Sequence, residues 1–408
     1  MTLVDLRIDS IAAGGDGVGR HEGLVVFVPR SAPGDLVRVR AEQHDRLMRG
    51  ALDAVLQPSP QRREPPCDHY VRDRCGGCQI QHLRYDAQLA AKAGIIRDAM
   101  TRIGRVTLAS VPEVEPSAQE FRYRSKLTLA LRREGGRWIA GLYRYDAPDD
   151  VFELRDCPIT REPVLETWRE ILAAQHALPN APRLRGAVRL SPTDRTFTLE
   201  GGHRWPRHAE FFDATPGLTQ LWWAPDEKPR RLLLSRSGDA SGASFTQVNP
   251  EVATQLRARV VALVESYRPR TIVDAYAGTG DYAVALARGG VRVTAIERDR
   301  DAARVAAGRL PESSRAVAAA VEAVIEESLP SDVVILNPPR AGVHARVAEA
   351  LQRQSEPPRA IIYVSCNPAT LARDARRLDR YRVKSLVGFD MFPQTAHVET
   401  ICELVPAA

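Results

Sequence analysis

A single cysteine, Cys366, stands between an apolar run and the pair Asn367 and Pro368 in the segment YVSCNPATLARD, residues 363–374. A thiolate is a strong nucleophile, so a cysteine presented in a pocket can bond covalently to an electrophilic carbon. The preceding run AIIYVS predicts a buried strand that delivers Cys366 to the carboxyl edge of a sheet, where ligands bind in α/β folds. The alternative is a structural role, because free cysteine is among the most frequently buried residue types.

Four other cysteines form a second group, in which Cys67, Cys75 and Cys78 have the spacing C-x7-C-x2-C and Cys157 lies far downstream. Four thiolates suit either zinc or an iron–sulfur cluster. Two paired CxxC knuckles would favour zinc, but only one CxxC is present. The opening residues MTLVDLRIDS lack the apolar core of a signal peptide, so we expect a cytoplasmic protein in which disulfides are disfavoured. The sixth cysteine, Cys402, is expected to pack within the last strand.

A glycine-bearing turn follows the first predicted strand of the C-terminal region, in TIVDAYAGTGDYAVALARGGVRVTAIERD. Gly278 and Gly280 allow a ligand to approach the backbone closely, and the following helix N-terminus favours polar or anionic groups. Asp274 lies before the turn, and Glu297 ends the second strand, where an acid can accept both hydroxyls of a ribose. This arrangement resembles the class I S-adenosylmethionine methyltransferases. The alternatives are a nucleotide-binding turn and a purely structural one.

Another strand, in DVVILNPPRAGV, ends in Asn337 and two prolines, which presents polar atoms at the same sheet edge. The sequence NPP followed by an aromatic resembles the signature of amino-methyltransferases. Here Arg340 takes the aromatic position, which argues against stacking of an extruded adenine. We therefore expect Asn337 to bind a ligand, whereas it cannot act as a base, since an amide does not ionise.

The elements that carry these residues predict a multidomain protein. Short β-rich runs with glycine turns predict an OB-like barrel at the N-terminus, and PSPQRREPPC is typical of a linker. Strands broken by glycine and proline indicate a central α+β domain, and alternating strands and helices from about residue 250 indicate a Rossmann-like α/β domain. The predicted domains are residues 1–57 for the barrel, 58–82 and 106–240 for the central domain with the cysteine cluster, and 83–105 and 241–408 for the catalytic domain.

The net charge of +6 and the pI near 9.1 permit a polyanionic partner. The stretch FRYRSKLTLALRREGGRW, residues 121–138, concentrates basic side chains against the single acid Glu134. Its cations are Arg122, Arg124, Lys126, Arg132, Arg133 and Arg137. Such a patch can follow a phosphate backbone, or it can be a solvated strand face. No segment approaches the roughly 18 apolar residues of a membrane span, so no membrane partner is expected.

Five C-terminal motifs, in this order, resemble the RNA uracil-5 methyltransferase family: GASFTQVNP, VDAYAGTGDY, NPPRAG, SCNPATLARD and AHVETICEL. The N-terminal segment is similar to the TRAM domain, an RNA-binding barrel. The resemblance implies methyl transfer from S-adenosylmethionine to C5 of a uridine in RNA, through a covalent bond between a cysteine and C6. It assigns the nucleophile to Cys366 and the base to Glu399.

The resemblance implies further roles. Gln247, Tyr276 and Glu297 match positions that contact the cofactor, and Asn337 stands where many members have aspartate. The four cysteines Cys67, Cys75, Cys78 and Cys157 are similar to the ligands of a [4Fe-4S] cluster, with zinc as the alternative. A TRAM barrel with a cysteine cluster favours 23S rRNA over tRNA as the substrate, and we expect a monomer. The alternatives are an RNA cytosine-5 methyltransferase and a catalytically silent RNA-binding protein.

Overall fold

The computed structural model of the chain describes residues 2–236 and 247–407. These residues form a closed five-stranded barrel, a seven-stranded sheet and an eight-stranded sheet. The predicted multidomain architecture, with an N-terminal barrel and a C-terminal α/β domain, is therefore confirmed. In the part of the chain that the structure describes, no helix is long and apolar enough to cross a membrane.

The barrel closes in the strand order β1-β2-β3-β5-β4. Its strands alternate between the interior and solvent, as Val4, Leu6 and Ile8 in the first strand show: each is buried, while the residues between them are exposed. Closure leaves no free sheet edge for pairing with another chain. The strands are β1 (Thr2–Ile11), β2 (Gly17–His21), β3 (Leu24–Val28), β4 (Leu36–His44) and β5 (Leu47–Gln57).

The segment that follows the barrel contributes to all three regions. It forms helix α1 (Asp68–Val71), helix α2 (Tyr85–Asp98) and the short strand β6 (Glu113–Glu115). Strand β6 pairs in parallel with residues 387–389 and so extends the C-terminal sheet. Strand β6 thus lies inside the predicted central segment 106–240 and pairs with the C-terminal sheet, while the domain boundaries stay predictions. A three-residue strand carries no periodic signal, and its partner lies far away along the chain.

The central sheet has the order β13-β12-β11-β10-β7-β8-β9 and is antiparallel except between β11 and β12. One face of the sheet is apolar. Leu127, Leu129 and Leu131, in the strand Lys126–Glu134, are buried in one cluster with Trp168 of a covering helix. The strands are β7 (Lys126–Glu134), β8 (Arg137–Tyr143), β9 (Val151–Glu153), β10 (Arg183–Leu190), β11 (Arg195–Glu200), β12 (Gln220–Ala224) and β13 (Arg231–Ser235), and the helices are α3 (Glu162–Ala173) and α4 (His208–Asp213).

The C-terminal sheet has the order β16-β15-β14-β17-β18-β20-β19-β6. Its first five strands are parallel, so their carboxyl ends form one edge, and the sixth runs antiparallel and begins at that edge. The strands are β14 (Thr271–Ala275), β15 (Arg292–Glu297), β16 (Arg315–Ala318), β17 (Val333–Leu336), β18 (Ala360–Ser365), β19 (Tyr381–Phe389) and β20 (Glu399–Pro406), and the helices are α5 (Pro250–Ser266), α6 (Asp281–Ala287), α7 (Arg300–Arg309), α8 (Val321–Val324), α9 (Ala345–Arg353) and α10 (Pro368–Arg377).

Every residue of β17 and β18 is buried, because helices cover both faces of this part of the sheet. Such strands consist of continuous apolar runs rather than alternating patterns. Asn337 comes directly after β17, and Cys366 comes directly after Ser365, the last residue of β18. The apolar runs therefore fix where the polar side chains emerge.

A fully buried ion pair joins helix α2 to the end of β19. The Lys92 ammonium contacts the Asp390 carboxylate, and both side chains are inaccessible to solvent. The same ammonium donates a hydrogen bond to the Phe392 carbonyl at 3.0 Å. The backbone N–H of Gln394, a residue with φ of 72°, donates to the side chain of Gln88 in α2 at 2.9 Å. These contacts hold the loop of residues 390–398 that leads into β20.

Candidate active site

The turn after β14 has the conformation that its glycines predict. Gly278 and Gly280 have φ of 57° and 79°, and Tyr276 also has a positive φ, of 63°. A Cβ at Gly278 would meet nothing within 4 Å, so the turn borders open space, whereas at Gly280 it would lie 3.0 Å from the Cβ of Ala306. The first glycine leaves room for a ligand, and the second allows close packing of α6 on α7.

Two carboxylates flank this turn. Glu297 accepts hydrogen bonds from the backbone N–H of Gly278 at 2.9 Å and of Asp299 at 2.7 Å, which fixes its side chain at the end of β15. Asp274 is completely buried; one of its oxygens accepts from Ala283 at 3.0 Å, and the other has no hydrogen-bond partner. Burial above all raises the pKa of Asp274 to about 7. A buried oxygen without a partner is rare in native proteins and is consistent with a donor supplied by a ligand.

Asn337 lies beside this turn. Its backbone N–H donates to the Ala275 carbonyl at 3.2 Å, and the residue is half-buried. The hydroxyl of Tyr276 is also buried without a hydrogen-bond partner. The predicted cofactor residues of β14, β15 and β17 are thus brought to a single sheet edge.

Cys366 is half-buried between the end of β18 and the start of α10. The side chain of Asn367 caps this helix by accepting hydrogen bonds from the N–H groups of Ala369, at 3.1 Å, and Thr370, at 3.5 Å. The thiol therefore lies at the positive end of the helix dipole, which favours a thiolate.

Glu399 lies next to Cys366 because of the strand register. Ser365 of β18 pairs with Thr400 of antiparallel β20, so the next positions, Cys366 and Glu399, stand opposite each other. Glu399 is buried, and one of its carboxyl oxygens has no hydrogen-bond partner. Gln247 forms a side-chain hydrogen bond with this carboxyl group. The structure therefore places Gln247 against the predicted base.

The charges around the Cys366 thiol shift its pKa in opposite directions. Burial, followed by the charge of Glu399, raises the pKa of Cys366, while the charge of Arg340 and a side-chain hydrogen bond from it act against this rise. Burial raises the pKa of Glu399 to about 7, although Gln247 and Arg340 oppose the change. A carboxyl group that titrates near neutral pH can both accept and release a proton.

The four cysteines of the second group line one cavity of about 290 Å³. Cys67, Cys75 and Cys157 are buried, Cys78 is half-buried, and all four are free thiols. Among the described residues, however, no three His, Cys, Asp or Glu side chains are arranged closely enough to hold a metal ion. Arg340, Thr395 and His397 also line the cavity, so the cysteine cavity opens towards the residues around Cys366 and Glu399.

No catalytic role is predicted from the sequence for Arg340, and no motif of the sequence points to Lys92, Asp390 or His397 as functional residues. For Arg340 a signal existed, since it directly follows a predicted ligand-binding segment. For Lys92 no signal existed, because the sequence of helix α2 does not show that this lysine is buried. The motif order gave no indication that His397 lines the cysteine cavity.

The parallel sheet, the glycine turn and the flanking carboxylates define a class I S-adenosylmethionine-dependent methyltransferase. The family described as tRNA (Uracil-5-)-methyltransferase matches residues 314–405. A protein of Protochlamydia amoebophila named as an uncharacterized RNA methyltransferase is 31% identical, over 99% of this chain and 98% of that protein. The 23S rRNA (uracil(1939)-C(5))-methyltransferase of Pectobacterium atrosepticum is 30% identical, over 97% of this chain and 92% of that protein. The chain belongs to the RNA uracil-5 methyltransferase family.

A solved structure supports the same assignment. The tRNA (uracil-54, C5)-methyltransferase of Pyrococcus abyssi, in complex with S-adenosyl-L-homocysteine, matches with a TM-score of 0.74 and 26% identity. The match covers 98% of this chain and 100% of that chain, so the barrel, the central domain and the catalytic domain are all included. The chain therefore shares the whole architecture of that RNA methyltransferase.

The raised pKa of Glu399 predicts a pH-dependent stability. The unfolded carboxyl titrates near 4.5 and the folded one near 7, so its stabilising contribution is complete below pH 4.5 and is lost as the pH rises through 7. Relative to Glu399→Gln, the free energy of unfolding of the wild type should fall by roughly 3 kcal/mol over this range. Urea denaturation of both proteins at several pH values measures the difference. Identical pH profiles would contradict burial of an ionisable group here, because Asp274 is present in both proteins.

Proposed function

We propose that this protein transfers a methyl group from S-adenosylmethionine to C5 of a uridine in 23S rRNA, through a covalent bond between Cys366 and C6 of the base. The observation that carries the proposal is the position of Cys366 opposite Glu399 at the sheet edge that also bears the glycine turn. A nucleophile, a base and a cofactor pocket are thus within one site.

C5 of uracil is too weak a nucleophile to attack a sulfonium methyl group unaided. Addition of the Cys366 thiolate to C6 converts C5 into an enolate carbon that can attack, which is nucleophilic catalysis. The methyl group moves to C5, and S-adenosylhomocysteine leaves. Glu399 then removes the C5 proton, and the electron pair of the C–H bond restores the C5–C6 double bond as the thiolate is expelled.

Arg340 supports the first of these steps. Its charge and hydrogen bond favour the thiolate form of Cys366. The raised pKa of Glu399 keeps the carboxyl protonated in part of the resting enzyme, which lowers the negative charge beside the thiol. Proton removal from C5 then requires the ionised form, which is accessible near pH 7.

The cofactor residues act by binding. Glu297 uses two lone pairs on backbone donors and retains others for the ribose hydroxyls. The partnerless oxygen of Asp274 and the amide of Asn337 offer acceptors for cofactor donors, and Gly278 leaves the space that the cofactor needs. Tyr276 bends the turn around that space, and Gln247 positions Glu399.

The similarity of this chain to the 23S rRNA methyltransferase of Pectobacterium, over nearly its full length, favours 23S rRNA as the substrate. A tRNA substrate is the second candidate, because the Pyrococcus tRNA enzyme shares the whole architecture. Tritiated S-adenosylmethionine with unmodified total RNA distinguishes the two after separation of rRNA from tRNA and nucleoside analysis. We expect label in 5-methyluridine of 23S rRNA. Label in 5-methylcytidine, or in neither RNA, would contradict the proposed function.

The covalent step predicts a trapped intermediate. In Glu399→Gln the methyl group can be transferred, but the C5 proton cannot be removed by an amide, so a protein–RNA adduct should accumulate. The adduct is measured as a labelled band that survives denaturing gel electrophoresis. As the matched control, the double variant Cys366→Ala with Glu399→Gln should form none. An adduct that persists without Cys366, or its absence in Glu399→Gln, would contradict these roles.

We also propose that Cys67, Cys75, Cys78 and Cys157 hold a [4Fe-4S] cluster. Four free thiols around one cavity form a donor set that suits such a cluster, and binding requires the side chains to converge further. When bound, the cluster would supply bonds that tie residues 67–78 to Cys157; methyl transfer itself needs none of its redox chemistry. Zinc is the alternative.

Protein purified without oxygen should contain about four iron atoms per chain and absorb near 400 nm, as four thiolate ligands on a cubane predict. Iron and acid-labile sulfide analysis measures this independently of activity. Cys157→Ser should lose most of the iron, while Cys402→Ser, the matched control, should retain it, because Cys402 is buried in β20. Stoichiometric zinc without iron would contradict the cluster.

A further inference from the structure

Two cations stand opposite each other on the central sheet. Lys126 of β7 is paired in register with Arg189 of β10, on the face opposite to the buried leucines of β7. Like charges at directly opposite positions of neighbouring strands are destabilising. Neither side chain forms an ion pair with any described residue, and the Nη1 atom of Arg189 is buried without a hydrogen-bond partner.

Other arginines of the same sheet, unlike Lys126 and Arg189, form ion pairs with acids on neighbouring strands. Arg185 pairs with Glu200 at 2.9 Å, and Arg137 pairs with Glu153 at 2.7 Å. The basic stretch recognised in the sequence therefore contains two kinds of residue. Arg137 is neutralised within the fold, whereas Lys126 is not.

Positive charges outnumber negative ones around the pair: the one acid that acts on Lys126, Glu200, is itself ion-paired with Arg185. Burial, followed by the charges of Arg189, Arg185 and Arg124, lowers the pKa of Lys126 to about 8. Burial also lowers the pKa of Arg189, and the charge of Arg230 adds to this effect. An anion placed between the two side chains would relieve the repulsion and satisfy the buried N–H.

The pair also lies beside the catalytic centre. The backbone N–H and the hydroxyl of Ser125, the residue before Lys126, donate to the Val248 carbonyl at 2.8 and 3.1 Å. The neighbouring residue, Gln247, contacts Glu399. A group bound by Lys126 and Arg189 is therefore close to the uracil that is methylated.

We propose that Lys126 and Arg189 together bind one phosphate of the RNA backbone adjacent to the methylated uridine. The guanidinium offers planar N–H donors and the ammonium a compact charge, which are complementary modes of phosphate binding. Such a contact positions the RNA without reading its sequence. The identity of the polyanion rests on the proposed function.

The test compares Lys126→Gln and Arg189→Gln with the wild-type enzyme in steady-state methyl transfer at several salt concentrations. Each variant should raise the KM for RNA about tenfold and lower the slope of log KM against log salt by about one, as expected for loss of a phosphate contact. The kcat at saturating RNA and the affinity for S-adenosylmethionine should stay within about twofold, because neither residue touches the reacting atoms. The charge-preserving variant Lys126→Arg should retain the wild-type KM.

Arg137→Gln is the matched control, because it removes one positive charge from the same sheet at an ion-paired, exposed site. A KM and salt slope in Lys126→Gln and Arg189→Gln equal to those of this control would overturn the proposal. So would a loss of RNA affinity in Lys126→Arg as large as that in Lys126→Gln, since the effect would then be structural. Filter retention of RNA without S-adenosylmethionine tests the site independently: if the wild type methylates no RNA, the proposed function fails, while the retention data still decide the phosphate site.

Discussion

The buried ion pair between Lys92 and Asp390 fixes the position of the loop that carries the chain into β20 and to Glu399. Two charges inaccessible to solvent are tolerated only while they compensate each other, and loss of one partner typically costs about 3–5 kcal/mol. Nine residues after Asp390, the chain reaches Glu399 at the start of β20. The hydrogen bonds of Gln394 and Phe392 transmit the same constraint along the loop. The base is therefore held by helix α2 as well as by its own strand.

A second constraint is the shared electrostatic environment of Cys366, Glu399 and Arg340. Burial disfavours the charged forms of both the thiol and the carboxyl, and each negative charge disfavours the other. Arg340 offsets part of this cost for both groups, although it is itself exposed. The site can thus hold one negative charge near neutral pH more readily than two. The chemistry needs only one at a time, first on the thiol and later on the carboxyl.

The sequence was informative where a local pattern determines a local structure. Apolar runs predicted β17 and β18, and their ends correctly predicted where Asn337 and Cys366 emerge. The pairing of Lys92 with Asp390 could not be predicted, because its partners are 298 positions apart and a buried lysine looks like any helical lysine. Strand β6 is too short to carry a period. The basic stretch from residue 121 to 138 could be recognised but not divided, since the acids that neutralise Arg122 and Arg137 lie on other elements.

The packing of α2 on the C-terminal domain and the pairing of β6 with its sheet have a consequence for synthesis on the ribosome. The barrel closes with contacts made inside residues 2–57, so it can fold as soon as it has emerged. Lys92 and β6, in contrast, must wait for Asp390 and β19, and Asp390 is translated 298 residues after Lys92. Until then Ile96 of α2, which packs in the core of the catalytic domain, is exposed to non-native association. A pause or premature stop before Asp390 is made would therefore leave a folded barrel attached to an incomplete catalytic domain, a substrate for chaperones and proteases.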